Sequence, residues 1–220
     1  MKHWFRLVVV ASVVFFGASP LFSQVATGQV EPATNTAGAV VAEKPAAAGR
    51  ELVLADFDSG DKPNNIGGDF GTWDKDPNDE TQSSQMTFEA DDALGNGSGY
   101  SIRLDYDVDS PNPAYNGFWM KLNNLDATAY NTLNFYVKGS KEKDFTKRLK
   151  IELKDSTMKP SPYIISGITN EWQKFSIPFE KFARIKSWNT LSEFVVVFDD
   201  INSNPKSGTI FVDHVTLSAE

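Results

Sequence analysis

The sequence has no cysteine and almost no histidine, which excludes several kinds of catalytic and metal site. Among its 220 residues there is no disulfide, no thiolate zinc site and no cysteine to lipidate. Of its two histidines, only His214 lies beyond the first few residues, and no serine stands in a nucleophile-elbow context. Glycine motifs that cradle phosphates are also missing. A Ser–His–Asp hydrolase and a nucleotide-binding enzyme are therefore disfavoured.

Basic residues are also scarce, and this narrows the choice of partner. The chain has 21 Lys and Arg against 29 Asp and Glu, and a formal net charge of −8. Nucleic acids and anionic membrane surfaces both require a basic face. The acidic composition therefore disfavours nucleic acids and anionic membranes as partners. Bound cations and neutral ligands such as sugars remain compatible with it. Carboxylate pairs are frequent, but adjacency in sequence does not place two of them across a cleft, so a catalytic sandwich stays open.

The N-terminal region has the features of a leader followed by a tether. MKHWFR is basic, LVVVASVVFFGA is apolar, and Pro20 precedes LFSQ. This order predicts a secretory signal peptide over 1–23 and a secreted or periplasmic protein. An uncleaved anchor is the alternative, because no charge occurs between Arg6 and Glu31. Residues 24–50 contain no aromatic residue and predict a flexible linker before a domain over 51–220.

Helical periodicity is nearly absent from this domain, and FEKFARIKSW (179–188) is the one segment that predicts a short helix. Short alternating or β-branched segments, separated by turn residues, predict strands instead. They are LVLADFD, SIRLDYDV, TLNFYVKG, RLKIELKD, YIISGI, WQKFSIPF, EFVVVFDD and TIFVDHVTL. Many short strands without long helices are typical of an all-β antiparallel sandwich.

The alternation also assigns side chains to faces. In RLKIELKD the leucines and isoleucine face inward while Lys150, Glu152 and Lys154 face outward. SIRLDYDV likewise turns Arg103, Asp105 and Asp107 outward. EFVVVF is apolar on both faces and predicts a central strand. Such a charged outward face suits a protein partner as well as a glycan.

The stretch GGDFGTWDKDPNDE (67–80) raises the question of a metal loop. Asp74, Asp76 and Asn78 have the spacing of an EF-hand start, but Asp79 replaces the glycine and Gln85 replaces the final glutamate. An EF-hand is therefore excluded. A looser calcium loop stays open beside the simpler prediction of a long, solvated loop at the rim, with Trp73 within it.

Several segments, taken in order, resemble one family. VLADFDSG, NNIGGDFGTWDKD, LDATAYNTLNFYVKG, NEWQKFSIPFEKF and GTIFVDHVTL are similar to segments of jelly-roll carbohydrate-binding modules of the galactose-binding-like superfold. The likeness is strongest to module family 11 and to CIA30-like domains, and it covers about residues 52–218. It implies two antiparallel sheets, a concave sugar-binding face and a non-catalytic role in binding a polysaccharide or oligosaccharide.

The resemblance also implies particular sites. A structural calcium ion would be held by carboxylates of Asp58 and Asp213 and by a backbone carbonyl near Gly99, although both acids could instead cap turns. The residues implied for sugar binding are Trp73, Tyr115, Trp119, Tyr163 and Asp199. Any one of these rings could instead belong to the core. A protein-interaction or assembly domain on the same fold is the alternative function.

Overall fold

Eleven strands make up nearly all the regular structure in the computed structural model, which describes residues 49–95 and 98–219. The strands are β1 Glu51–Ala55, β2 Phe70–Asp74, β3 Ser83–Glu89, β4 Ser101–Asp107, β5 Tyr115–Leu125, β6 Thr132–Gly139, β7 Arg148–Asp155, β8 Ser161–Ser166, β9 Gln173–Pro178, β10 Leu191–Asp199 and β11 Ser207–Ser218. Two single turns of 3₁₀ helix, Phe179–Lys181 and Trp188–Thr190, lie between β9 and β10.

The strands form two antiparallel sheets. The first has the order β3-β4-β11-β6-β9, with β1 also paired to β11, and the second has the order β2-β5-β10-β7-β8. Strand pairs such as β2–β5 and β4–β11 join segments that are far apart in sequence. The predicted all-β antiparallel sandwich of jelly-roll type is confirmed.

The core lies between the two sheets and is built by the alternating residues of each strand. In β7, Leu149, Ile151 and Leu153 are buried while the lysines and the glutamate between them face out, as predicted. Every residue of β10 is buried, which fits its central position. The two charged sets predicted to face outward lie on different sheets: Arg103, Asp105 and Asp107 are on β4 of the first, and the β7 set is on the second.

Two secondary-structure predictions are wrong. FEKFARIKSW does not form the predicted continuous helix and contains only 3₁₀ turns at its two ends. A segment of this length is marginal as a helix, and Phe179 and Phe182 are instead buried against the core. The stretch 67–80 is not entirely loop, because Phe70–Asp74 within it forms edge strand β2. Its three glycines and its acids hid a short alternation in which Phe70 points inward and Trp73 outward.

The predicted signal peptide and all but Gly49 and Arg50 of the predicted linker lie outside the described residues. Within 49–95 and 98–219 no helix is long and apolar enough to cross a membrane.

Candidate ligand-binding face

The outer face of the second sheet brings aromatic, apolar and charged side chains together in rows. The β2–β5–β10–β7–β8 register aligns Gly71, Trp119, Val195, Glu152 and Pro162 in one row. The next row contains Trp73, Gly117, Val197, Lys150 and Ile164. Lys121, Glu193 and Lys154 form a third row on one side of these, and Tyr115 and Asp199 pair on the other. We call this surface the binding face.

Trp119 owes its position to the glycine opposite it. A Cβ on Gly71 would lie 3.4 Å from Cζ2 of the Trp119 indole, so the ring crosses the β2 backbone at van der Waals distance. Lys121 Nζ lies 5.5 Å from the centre of the same ring. The indole is half-buried, and part of it is available to a ligand.

Trp73 and Tyr115 form a second aromatic group beside the first. Their ring centres are 5.7 Å apart in an edge-to-face arrangement, and Lys75 Nζ lies 5.5 Å from the Tyr115 ring. Tyr115 is 42% exposed. Rings that expose part of their apolar surface are suited to contact the apolar faces of sugar rings.

Ion pairs fix the polar side chains of the binding face. Glu193 accepts hydrogen bonds from both Lys121 and Lys154, the latter at 2.8 Å, and Lys150 pairs with Asp199 at 2.6 Å. Burial opposes ionisation of Glu193 and Asp199, but these lysines outweigh it and lower the pKa of both carboxyls. Both acids therefore stay charged.

Glu152 differs from the other acids of the face. Among the described residues it has no ion pair within 4 Å and no hydrogen bond. Burial raises the pKa of its carboxyl, and the nearby charges of Lys150 and Lys154 offset this only in part. It is a half-buried acceptor without a donor among the described residues, on β7 between central strand β10 and edge strand β8.

Two hollows meet at Glu152. One, of about 410 Å³, is lined by Trp73, Trp119, Lys121, Glu152, Lys154, Met158, Pro160, Glu193 and Val195. The other, of about 570 Å³, is lined by Lys150, Glu152, Pro160, Pro162, Tyr163, Ile164 and Arg184. Because both linings include Glu152 and Pro160, the two hollows lie side by side, and we call them together the groove.

The structure brings together four of the five residues implied for sugar binding. Trp73, Tyr115, Trp119 and Asp199 lie on the binding face. Tyr163 pairs with inward-facing Ile151, and its ring packs 6.4 Å from Phe182, so it reaches only the β8 end of the groove. Asp199 is only 5% exposed, and its two oxygens are occupied by Lys150, Asn202 and the N–H of Ile201.

Sequence reasoning assigned no binding role to the floor of the groove or to its central acid. Val195 and Val197 are exposed by only 2% and 5%, and the sequence shows them simply as part of an apolar run. Glu152 was placed on an outward face, but no sequence signal separated it from the paired Lys150 and Lys154.

The three residues implied for calcium lie close to one another. A Cβ on Gly99 would lie 2.0 Å from Asp58 Oδ1, so this carboxylate is directly against the glycine. Asp213 is buried, and burial, followed by the charges of Asp58 and Asp56, raises the pKa of its carboxyl to about 6. Its oxygens accept the N–H groups of Leu94 and His214. Within the described residues, no three Asp, Glu, His or Cys side chains form a metal-binding group.

A two-sheet sandwich with partly exposed rings beside apolar residues on one outer face fits the class of jelly-roll carbohydrate-binding modules. A family model described as Carbohydrate binding domain 30 matches residues 64–219, so the chain belongs to that family. The resemblance stated from the sequence is thereby confirmed. A comparison with curated proteins found no significant match.

Solved structures with similar folds include other modules of this class. The family 11 module of the cellulosomal cellulase Lic26A-Cel5E of Clostridium thermocellum is 16% identical, with 78% of this chain and 95% of that one covered and a TM-score of 0.54. A family 11 module from the same organism was solved in complex with a β-1,3-1,4-mixed-linked tetrasaccharide. It is 16% identical, with 78% of this chain and 96% of that one covered and a TM-score of 0.54. An exo-β-agarase gives 10% identity and a TM-score of 0.57 over 76% of this chain and 25% of its own. These structural similarities show that this chain shares the fold of those modules.

Proposed function

We propose that this domain binds a polysaccharide on the binding face and carries out no reaction on it. The observation that supports this most directly is the pair of aromatic groups, Trp119 over Gly71 and Trp73 with Tyr115, beside a floor of two valines. A flat apolar surface with a few fixed polar groups is what a sugar ring requires. The open groove suits a chain that lies across the strands.

The polar groups of the face support binding better than catalysis. Glycoside hydrolysis uses two carboxyl groups on either side of the bond to be broken. Here Glu193 and Asp199 are both held in ion pairs, and Glu152 alone among the three is without one in the described residues. Glu152 is therefore placed to accept hydrogen bonds from sugar hydroxyls.

A β-glucan is the first ligand to test. The Clostridium thermocellum family 11 module was solved with a β-1,3-1,4-mixed-linked tetrasaccharide, and this chain shares its fold. Most of the face's charged groups neutralise one another, which favours a neutral glycan.

We also propose a structural calcium ion at Asp58, Gly99 and Asp213. Two carboxylates drawn together beside a glycine supply hard oxygen ligands of the kind calcium prefers. A bound cation would offset the burial and the repulsion by Asp58 that together raise the pKa of Asp213. The ion would tie the segment after β1 to β11 and so stabilise the sandwich.

The predicted signal peptide supports a secreted or periplasmic location. Its basic, apolar and small-residue regions occur in the order that export requires. N-terminal sequencing of the exported protein checks this, and a first residue at or near Gln24 is expected.

Affinity electrophoresis of residues 24–220 tests the proposed function. The protein is run through gels containing mixed-linkage β-glucan, xylan, mannan or pectin, with and without calcium. Retardation in β-glucan gels is expected. Retardation by another polymer would identify a different glycan as the ligand and would still support polysaccharide binding. Free migration in every gel would contradict it and would favour the alternative of a protein-interaction domain, for which pull-down from a periplasmic extract is the next measurement.

A further inference from the structure

Three buried side-chain oxygens without a hydrogen-bond donor lie at one end of the sandwich. They are Oδ1 of Asp74, Oε1 of Gln82 and Oδ1 of Asn116. Among the described residues, only one other buried side-chain atom lacks a partner, the hydroxyl of Ser101. Gln82 is 4% exposed and Asn116 is fully buried. Buried polar groups are normally paired, so a group of orphaned acceptors calls for an explanation.

Strand register and one hydrogen bond place the three residues in the same part of the sandwich. Asp74 and Asn116 are opposite each other at the ends of β2 and β5, and both point between the sheets. Directly opposed residues in an antiparallel pair have Cβ atoms about 4.5–5.5 Å apart. Asn116 Nδ2 donates to the carbonyl of Ser83 at 2.9 Å, and Gln82 is the residue that precedes Ser83. The group therefore spans the gap between the two sheets.

The amide orientations show that the unpaired atoms are oxygens. Asn116 Nδ2 donates to two carbonyls, those of Ser83 and Asp107, and Gln82 Nε2 donates to Asp79 Oδ2 at 2.8 Å. Rotating either amide by 180° would turn an oxygen towards these acceptors. Asp79 is itself held by Thr81, Ser110 and Asn112, so the loop that carries Gln82 is fixed.

A cation satisfies this arrangement better than a single water molecule. One water molecule can donate only two hydrogen bonds. Three oxygens, one of them on a carboxylate, require a partner here, so one of them would stay unpaired. A hard cation can be coordinated by all three together with backbone carbonyls and water. These oxygen ligands come from three separate segments, as in a site that clips a fold together.

We propose that Asp74, Gln82 and Asn116 hold a hard, oxygen-coordinated cation, for which Ca²⁺ is the probe. This site is distinct from the one proposed at Asp58, Gly99 and Asp213. Asp107, whose carbonyl accepts from Asn116, pairs with Ser207 on β11, and Asp213 is six residues further along that strand. At about 3.3 Å per residue the two sites are on the order of 20 Å apart.

The ion would fix the end of edge strand β2. Asp74 is the last residue of β2 and follows Trp73, which lies on the binding face. Binding of the cation between the sheets therefore holds the strand that carries one of the aromatic groups.

A crystal structure of the protein grown with calcium tests the proposal directly. Anomalous density among the three side-chain oxygens, with metal–oxygen distances of about 2.3–2.6 Å, is expected. Density without anomalous signal, with distances of about 2.7–3.0 Å, would show water molecules and overturn the proposal.

Calcium stoichiometry by equilibrium dialysis gives an independent test in solution. The Asp74→Asn variant is expected to bind one calcium fewer per chain than the wild type. Asp76→Asn makes the same change two residues away at an exposed position and is expected to bind as the wild type does. An unchanged stoichiometry in Asp74→Asn would contradict the site. Loss of all binding in Asp213→Asn would also contradict it, because calcium would then occupy the other site alone.

Discussion

The indole of Trp119 lies across Gly71 on the neighbouring strand, where a Cβ atom would come within 3.4 Å of the ring. This contact joins residues 48 positions apart and leaves the ring lying against β2, on the outer face of the sheet. The lack of a bulky side chain at position 71 is therefore part of how the binding face is built.

Replacing Gly71 with valine is expected to weaken glycan binding at least tenfold, about 1.4 kcal/mol. The branched side chain would displace the indole, while valine itself is favoured in strands, so stability should not fall. Isothermal titration and thermal unfolding measure the two effects. Gly71→Ala is the matched control, because its Cβ at 3.4 Å is an ordinary contact. Equal affinity in Gly71→Val and the wild type would show that the ring position is irrelevant to binding.

Replacing Trp119 or Trp73 with alanine is expected to reduce affinity by about 2 kcal/mol or more, roughly thirtyfold, as for aromatic residues that dominate an interface. The melting temperature should change little, since both rings lie on the outer face. Trp188→Ala provides the contrast, because that ring stacks on Phe179 at 3.8 Å. It should lower stability and leave affinity unchanged. Unfolding of both outer-face variants would mean that these rings are structural.

Glu152→Gln is expected to weaken binding and to raise stability at neutral pH. The raised pKa of Glu152 means that burial penalises its charged form. That penalty is therefore present in the wild type when the pH is well above the unfolded pKa, and it disappears as the pH falls below it. Unfolding temperatures at pH 7 and pH 3.5 measure the difference between the two proteins, which should shrink at the lower pH. A variant less stable than the wild type at pH 7 would contradict the burial argument.

Asp155→Ala is expected to destabilise the fold by about 2 kcal/mol, since the loss leaves backbone donors unpaired. Asp155 is 1% exposed and accepts the hydroxyl of Thr157 and the N–H groups of Thr157, Lys186 and Ser187. The hydrogen bond from Thr157, followed by those from the backbone, lowers the pKa of Asp155 to about 2.

The pH dependence of that effect has a definite sign. A carboxyl with a lowered folded-state pKa stabilises the protein above its unfolded pKa, and this contribution is lost as the pH falls towards 2. Urea unfolding of Asp155→Ala and the wild type at several pH values should therefore show a gap that narrows below about pH 4. Glu180→Ala, at an exposed position, serves as the control and should show no such gap.

Removal of calcium is expected to lower the melting temperature, because a ligand that binds only the folded state stabilises it by mass action. In the Asp213→Ala variant, the change in melting temperature on calcium removal should be much smaller, because this variant loses a ligand of the Asp58–Gly99–Asp213 site. Differential scanning calorimetry with EDTA and with added calcium measures it. An unchanged melting temperature of the wild type in EDTA would show that calcium does not stabilise this protein.

Much of the fold could be predicted because period-two alternation is a local property. Leu149, Ile151 and Leu153 alternate with charged residues, and the run 194–198 is apolar throughout, so both strands and the buried position of β10 followed directly. β2 was missed because it has only five residues, one of them Gly71, and follows Gly67 and Gly68 closely. The segment 179–188 was misassigned because burial of Phe179 and Phe182 outweighed a weak helical pattern.

The sequence by itself determined which residues share a face, and hence the sandwich, while its resemblance to carbohydrate-binding modules implied the candidate rings Trp73, Tyr115 and Trp119. Only the tertiary structure decided which strands are neighbours. Long-range pairing put Gly71 under Trp119, separated the charged residues of β4 from those of β7, and turned Tyr163 inward. It also brought Asp74, Gln82 and Asn116 to one end of the sandwich. Alternation indicates which face of the sheet each side chain occupies, because it is a local pattern. The register between distant strands depends on how the whole core packs.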